Sequence, residues 1–235
     1  MTVPAIHHRS MRIPRLMRVV RGPSTVISAL SELVEPSHRL LVVHSGARSA
    51  THYGATIVEH ALGAGLAVDA CVVDDNSERS VSMAADAIGL HAPDFVLGVG
   101  GGRVVDVAKL AAARRGAQVV TIPTQVASDA ICSPVAIIQG DDGRRRSVGA
   151  QMPIAIVVDM DVLDSAPAQT WLAGLGDLVS NLSAVVDWRL AQQTHGESVD
   201  DFACLTSEAA ARSVIEDDAD LREDEYRQKL IRGLI

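Results

Sequence analysis

Asp94-Phe95-Val96-Leu97-Gly98-Val99-Gly100-Gly101-Gly102-Arg103-Val104-Val105-Asp106 joins a short apolar run to a helical pattern through a glycine turn. Residues 94–100 read as a buried strand. Residues 103–116 (RVVDVAKLAAARRG) read as a helix ending at Gly116. Glycines at such a turn remove Cβ atoms, so backbone can approach a ligand closely. The helix that follows presents unpaired N–H groups and a positive dipole end. Gly100, Gly101, Gly102, Arg103, Val104, Val105 and Asp106 are therefore candidate positions for holding the diphosphate of a dinucleotide. The spacing is not GxGxxG, and the turn follows the third strand of the run rather than the first. The same residues also suit a turn that merely packs a helix closely on a sheet. Asp106 also suits an acid that complements the helix dipole, and Lys109 reads as a solvated lysine.

Outward from this turn the same alternation repeats. Strand-like runs at 39–45, 67–75, 118–124 and 153–159 alternate with helical stretches at 23–34, 49–65 and 77–89. A hairpin is expected where PVAIIQ and RRRSVGA flank Gly-Asp-Asp-Gly at 140–143. Val-rich strands between helices predict a doubly wound, mostly parallel, Rossmann-like α/β sheet. After Pro167 strand runs vanish and three helical segments follow. The chain is therefore expected to divide into a dinucleotide-binding α/β domain, 1–166, and the beginning of an all-helical domain, 167–235.

Composition narrows the function. Hydrophobic residues make up 48% of the 235, but aromatics only 3%, so the core must be aliphatic. A formal net charge of -8 argues against a nucleic-acid partner, and the Arg144-Arg145-Arg146 run reads as a solvated turn. Cys71, Cys132 and Cys204 form no CxxC pair, which suits a reducing cytoplasm. The basic N-terminal segment lacks the apolar core of a secretory signal, although composition leaves a transit peptide open. No apolar run approaches the roughly 20 residues that span a membrane, so no membrane association is expected.

Two further segments carry candidate chemistry. The first is Thr121-Ile122-Pro123-Thr124-Gln125-Val126-Ala127-Ser128-Asp129-Ala130-Ile131-Cys132-Ser133-Pro134, at the carboxyl end of a predicted parallel strand. Open α/β sheets bind ligands at that end. Thr124 and Ser133 could donate to ribose or phosphate, and Asp129 could accept from a substrate hydroxyl. Ordinary Ser/Thr/Asp turn chemistry has the same composition. The second is Gly174-Leu175-Gly176-Asp177, which reads as a helix opening. Asp177 shares a face with Asn181 and suits either an N-cap or a carboxylate ligand for a divalent metal.

Taken in order, GGGRVVDVAK, TIPTQVASDAICSP and GLGDLVSNLSAVVDWRLA closely resemble the glycerol-1-phosphate dehydrogenases. These lie within the wider group of iron-containing alcohol dehydrogenases, glycerol dehydrogenases and dehydroquinate synthases. The resemblance covers roughly residues 10 to 235 and is most specific in the last motif. It implies a dinucleotide-binding domain followed by a helical one. It implies reversible hydride transfer between NAD or NADP and dihydroxyacetone phosphate or a related polyol. By motif, Gly102 to Asp106 would hold the cofactor diphosphate. Thr124, Ala127 and Ser133 would lie along the cofactor. Asp129 and Asp177 would be catalytic and bind substrate, and Asp177 would ligate the metal, usually zinc in this branch, or iron or nickel. The second loop departs from the usual Ser-x-Asp-Gly, reading Ala127-Ser128-Asp129-Ala130 as in glycerol dehydrogenases. The first strand ends His44-Ser45-Gly46 without an acid for an adenosine ribose, so NAD versus NADP stays open.

The resemblance also implies two histidine ligands in a region beyond Ile235, as though this chain were C-terminally truncated. Only Asp177 can be assigned as a ligand here, and the chain by itself is expected to bind metal weakly and turn over little. Two other functions compete: a non-catalytic dinucleotide-binding module, and a dehydroquinate-synthase-like cyclase, which the SNLSAVVDW stretch disfavours. A small-molecule substrate and assembly into a homo-oligomer are expected in the first reading.

Overall fold

The five Val-rich runs become neighbours in one parallel sheet, joined by a sixth strand that the reading above lacks. In the computed structural model, residues 13–46, 50–140, 142–217 and 220–235 are described. The N-terminal segment through residue 12, Ser49 at the start of an expected helix, and Asp141 of the hairpin turn lie outside them.

In chain order the elements are β1 (Leu16–Val20), α1 (Pro23–Leu30), β2 (Arg39–Ser45), α2 (Ala50–Gly63), β3 (Ala67–Val73), α3 (Glu78–His91), β4 (Phe95–Gly100), α4 (Gly102–Arg115) and β5 (Gln118–Pro123). A single 3-10 turn (Asp129–Ile131) leads to β6 (Val135–Gln139), β7 (Arg145–Gly149), β8 (Ala155–Asp159) and α5 (Met160–Asp164). Three helices follow, α6 (Ala168–His195), α7 (Asp201–Ile215) and α8 (Asp224–Gly233). The sheet order is β1-β8-β5-β4-β2-β3, every pair parallel, and β6 and β7 form the expected antiparallel hairpin. The chain runs from β2 outward to β3 and then returns to β4 on the other side of β2. This reversal opens a crevice at the carboxyl ends of β2 and β4, where doubly wound sheets bind ligands.

The strand missing from the reading is β1. Its residues LMRVV pair with β8 from Leu16 opposite Ala155 to Val20 opposite Asp159. Only Leu16 is buried in it, because it is an edge strand, and Arg18 interrupts its apolar character. Central strands look different: β4 is buried at all six positions. Burying each such Val or Leu contributes roughly 1.5–3 kcal/mol, which is why continuous aliphatic runs end up between two helical layers.

One core cluster lies on each side of the sheet: α3 and α4 cover one face and α1 and α2 the other. A third cluster joins Val126, Ile131 and Cys132, β8 and α5 to Trp171, Leu178, Val214 and α8. Trp171 is roofed by the Arg227 guanidinium, 4.9 Å from its ring centre, and Arg227 also pairs with Asp164 at 2.7 Å. No helix among the described residues is long and apolar enough to cross a membrane.

Candidate functional site

The glycines of the turn divide into two jobs. A Cβ at Gly98 would lie 2.9 Å from Ala108 Cβ, and one at Gly100 would lie 2.7 Å from Val104 Cβ. These two glycines seat α4 against β4, so the packing alternative holds for them. Gly101 and Gly102 instead line clefts: a Cβ at Gly101 would first meet the Gln125 side chain, at 2.5 Å, and one at Gly102 only Ala130 Cβ, at 3.5 Å. Gly101 is the N-cap, with extended backbone. The amides of Val104 and Val105 donate to Gly101 O at 2.9 and 3.1 Å, which leaves those of Gly102 and Arg103 at the open end of the helix. A cleft of about 360 Å³ runs over this end, lined by Ser45, Asp74, Gly101, Arg103, Thr124 and Gln125 among others.

Two turns into α4 lies a residue that departs from the sequence expectation. Lys109 is not solvated; it has no exposed surface at all. Its Nζ donates to Ala130 O at 2.7 Å, Ser133 O at 3.0 Å and Val135 O at 2.6 Å, and lies 3.0 Å from Asp106 Oδ1. The other Asp106 oxygen, Oδ2, accepts from Ile137 N at 2.9 Å. Asp106, expected to help hold a cofactor, lines the second cleft beside Gly102 and Arg103, with its buried carboxylate next to Lys109 and bonded to the β6 backbone. Burial pushes Lys109 down and Asp106 up, each opposed by the charge of the other. Three carbonyl acceptors need three N–H donors, so Lys109 is an ammonium.

The second loop meets α6. Asp129 N donates to Asp177 Oδ2 at 2.9 Å. Asp129 O accepts from Cys132 N and Ser133 N at 2.8 and 2.9 Å, closing the 3-10 turn, and Ser128 Oγ accepts from Ala130 N. Asp177 is therefore not a helix N-cap: α6 begins nine residues earlier, at Ala168 after Pro167. Gly174 is buried inside it because a Cβ there would lie 2.6 Å from Val126 O. Crowding by protein and the nearby Asp177 carboxylate push the Asp129 carboxyl above its usual range, with Lys109 opposing.

A second cleft, about 430 Å³, brings together Gly102, Arg103, Asp129, Ser133, Arg145 and Asp177. Arg103 lines both clefts, so they meet at the first turn of α4. Asp129, Asp177, Ser180 and Asn181 line a third, about 270 Å³. Of the predicted site residues, Gly101, Arg103, Val104 and Thr124 gather at the first cleft, and Gly102, Arg103, Asp106, Ser133, Asp129 and Asp177 at the second. Gly100, Val105 and Ala127 line none of these. Asp74, Gln125, Asn76 and Arg145 were missed. The strand-end rule would have flagged Asp74, which follows β3. Arg145 is exposed, as the solvated reading expects, but nothing local shows that its hairpin folds over α4 and brings it to the second cleft.

The donor set for a metal is incomplete. Asp177 and Asp129 are adjacent, but no group of three or more His, Cys, Asp and Glu that could hold a metal ion occurs among the described residues. The described residues therefore do not make the three-ligand site of a catalytic zinc.

Residues 23–167 match the iron-containing alcohol dehydrogenase family. Among curated proteins, the glycerol-1-phosphate dehydrogenase [NAD(P)+] of Thermococcus sibiricus is 32% identical over 227 residues, which is 96% of this chain and 64% of that protein. The protein of the same name from Methanothermobacter thermautotrophicus is 31% identical over 231 residues, 97% of this chain and 65% of that one. The chain thus spans about two thirds of the length of these relatives. A solved probable glycerol dehydrogenase from Sinorhizobium meliloti superposes with a TM-score of 0.78 at 21% identity, covering 97% of this chain and 65% of that one. Glycerol dehydrogenase from Schizosaccharomyces pombe gives 0.71 at 20% identity, covering 97% and 60%. These likenesses show that the sheet and the helices after it share one fold.

Proposed function

The chain belongs to the iron-containing alcohol dehydrogenase family, and from that premise we propose that it binds NAD or NADP over the N-terminus of α4 and serves an oxidoreductase interconverting dihydroxyacetone phosphate and glycerol 1-phosphate, or a related polyol. The observation that carries this reading is Arg103, which lines both the cleft over the glycine turn and the cleft holding Asp129 and Asp177. Cofactor and substrate would therefore meet at one helix end. The Gly102 and Arg103 amides and the Arg103 guanidinium would take the diphosphate. Asp129 would accept from a substrate hydroxyl. The nicotinamide, when bound, would supply the hydride for a substrate carbonyl, and a proton from water would complete the alcohol. The names of the curated relatives support both the cofactor and the substrate class. Exposed apolar side chains on α6 and α7 support self-association as part of the same proposal.

Gly101→Val tests the cofactor site. Its Cβ would lie 2.5 Å from Gln125 Nε2, so it drives a flexible side chain into the cleft rather than breaking the fold. NADH or NADPH affinity, followed by fluorescence titration, should fall at least about tenfold, or about 1.4 kcal/mol. Asp129→Ala should leave that affinity within about threefold while weakening dihydroxyacetone phosphate binding. A wild-type chain that binds neither nucleotide would overturn the reading. A second reading is a dinucleotide-binding module without chemistry, for which the glycine turn alone would suffice. Stoichiometric bound metal together with NAD(P)H-dependent reduction of dihydroxyacetone phosphate would exclude it.

A further inference from the structure

We propose that Lys109 is a positioning residue, whose buried ammonium stands where a bound monovalent cation could stand and holds the 130–135 segment, and with it Asp129, against α4. The segment turns its carbonyls inward. Those of Ala130, Ser133 and Val135 converge on Nζ, and that of Ile131 accepts from Thr121 Oγ1 at 2.7 Å. Three peptide dipoles aimed negative end first at one buried point repel each other unless a cation lies between them. Lys109 meets this need to the proton: three N–H groups, three carbonyls. With those donors spent, Asp106 Oδ1 acts only as counter-charge, and it accepts no hydrogen bond of its own. The Ile137 amide fixes Asp106 in turn.

The consequence reaches the site. Asp129 begins the 3-10 turn whose residue Ala130 is gripped, and its carbonyl accepts from Cys132 and Ser133 inside the same segment. One helix therefore presents the cofactor clefts at its first turn and clamps the acid-bearing loop two turns later. The importance of this for substrate rests on the function proposed above; the clamp itself is read separately.

Hydrogen exchange on the intact chain measures the clamp. In wild type, the Cys132 and Ser133 amides, both bonded to Asp129 O, should be protected like those of α4, and fast exchange there overturns the proposal without any variant. The charge-balanced double substitution Asp106→Asn/Lys109→Met should speed exchange of this segment about tenfold or more while leaving the sheet within about twofold. Lys109→Ala should regain protection with n-propylammonium, which replaces the lost Cγ-to-Nζ atoms, and not with 1-propanol. Unchanged exchange in the double variant, a uniform rise across the chain, or equal rescue by the alcohol overturns the proposal. Failure of wild type to bind nucleotide would sink the preceding section and leave this result standing.

Discussion

The sheet and the helices after Pro167 both close up by leaving out a Cβ, yet they are covered differently. Gly98 lets α4 approach β4, with Ala108 Cβ 2.9 Å from where a side chain would start. Gly174 lets α6 approach the second loop, with Val126 O at 2.6 Å, and Gly233 lets α8 approach Leu178. The sheet is sandwiched by helices on both faces, and Leu40–Val43 and Val96–Leu97 are essentially without exposure. The helical region has one buried side only. Leu172, Val186, Leu190, Phe202, Leu205 and Ile215 are each more than half exposed on α6 and α7. The sheet is a self-sufficient core, while the helices take their stability from one seam, where Trp171, Leu178 and α8 meet β8 and the loop.

That contrast can be broken at the two glycines. Gly98→Val puts a branched side chain between a central strand and its helix, where backbone and Ala108 cannot yield cheaply. It should destabilise the whole protein by about 3 kcal/mol, read as a lower urea midpoint for sheet and helices together. Gly174→Val presses on a backbone carbonyl at the seam and should cost about 2 kcal/mol. Its signature is selective: the environment of Trp171 changes in near-ultraviolet circular dichroism, while nucleotide affinity stays within about threefold. Equal loss of both regions in the two variants would show that sheet and helices form one cooperative unit.

The smallest effect sharpens the same comparison chemically. Cys132 lies at the seam, donating from Sγ to Ile235 O at 3.3 Å, and burial with the nearby Asp129 charge pushes its thiol up to about 11. Below that pH it stays a neutral thiol, so at pH 8 iodoacetamide should modify it at least about a hundredfold more slowly than free cysteine. In Gly174→Val the rate should rise, because the seam is what buries it. A Cys132 that reacts readily in wild type would mean that the helices are not seated as described.

How much of this was legible depends on how local each cause is. The alternation of Val-rich runs and helices was readable, because strand and helix periodicities are written in neighbouring side chains. β1 was not, because an edge strand buries one residue in five and its pairing with β8 is 139 residues away at Leu16–Ala155. Gly174-Leu175-Gly176-Asp177 suggested a helix opening because Gly and Asp favour helix ends. Close packing on Val126 explains the glycine instead, and the amide of Asp129 occupies the carboxylate.

By itself the sequence determined the doubly wound sheet, the helix-capping glycine turn and the order of the three motifs, since each follows from spacing within one segment. Only the tertiary structure decided which side chains those motifs share. Lys109 has the helical spacing of a solvated lysine. It is buried because three carbonyls 21, 24 and 26 residues further on fold over it. Asp106 is drawn into the same pair at the wall of the second cleft. A charge can be buried only where partners from elsewhere in the chain surround it, and the sequence does not state where those partners come to rest.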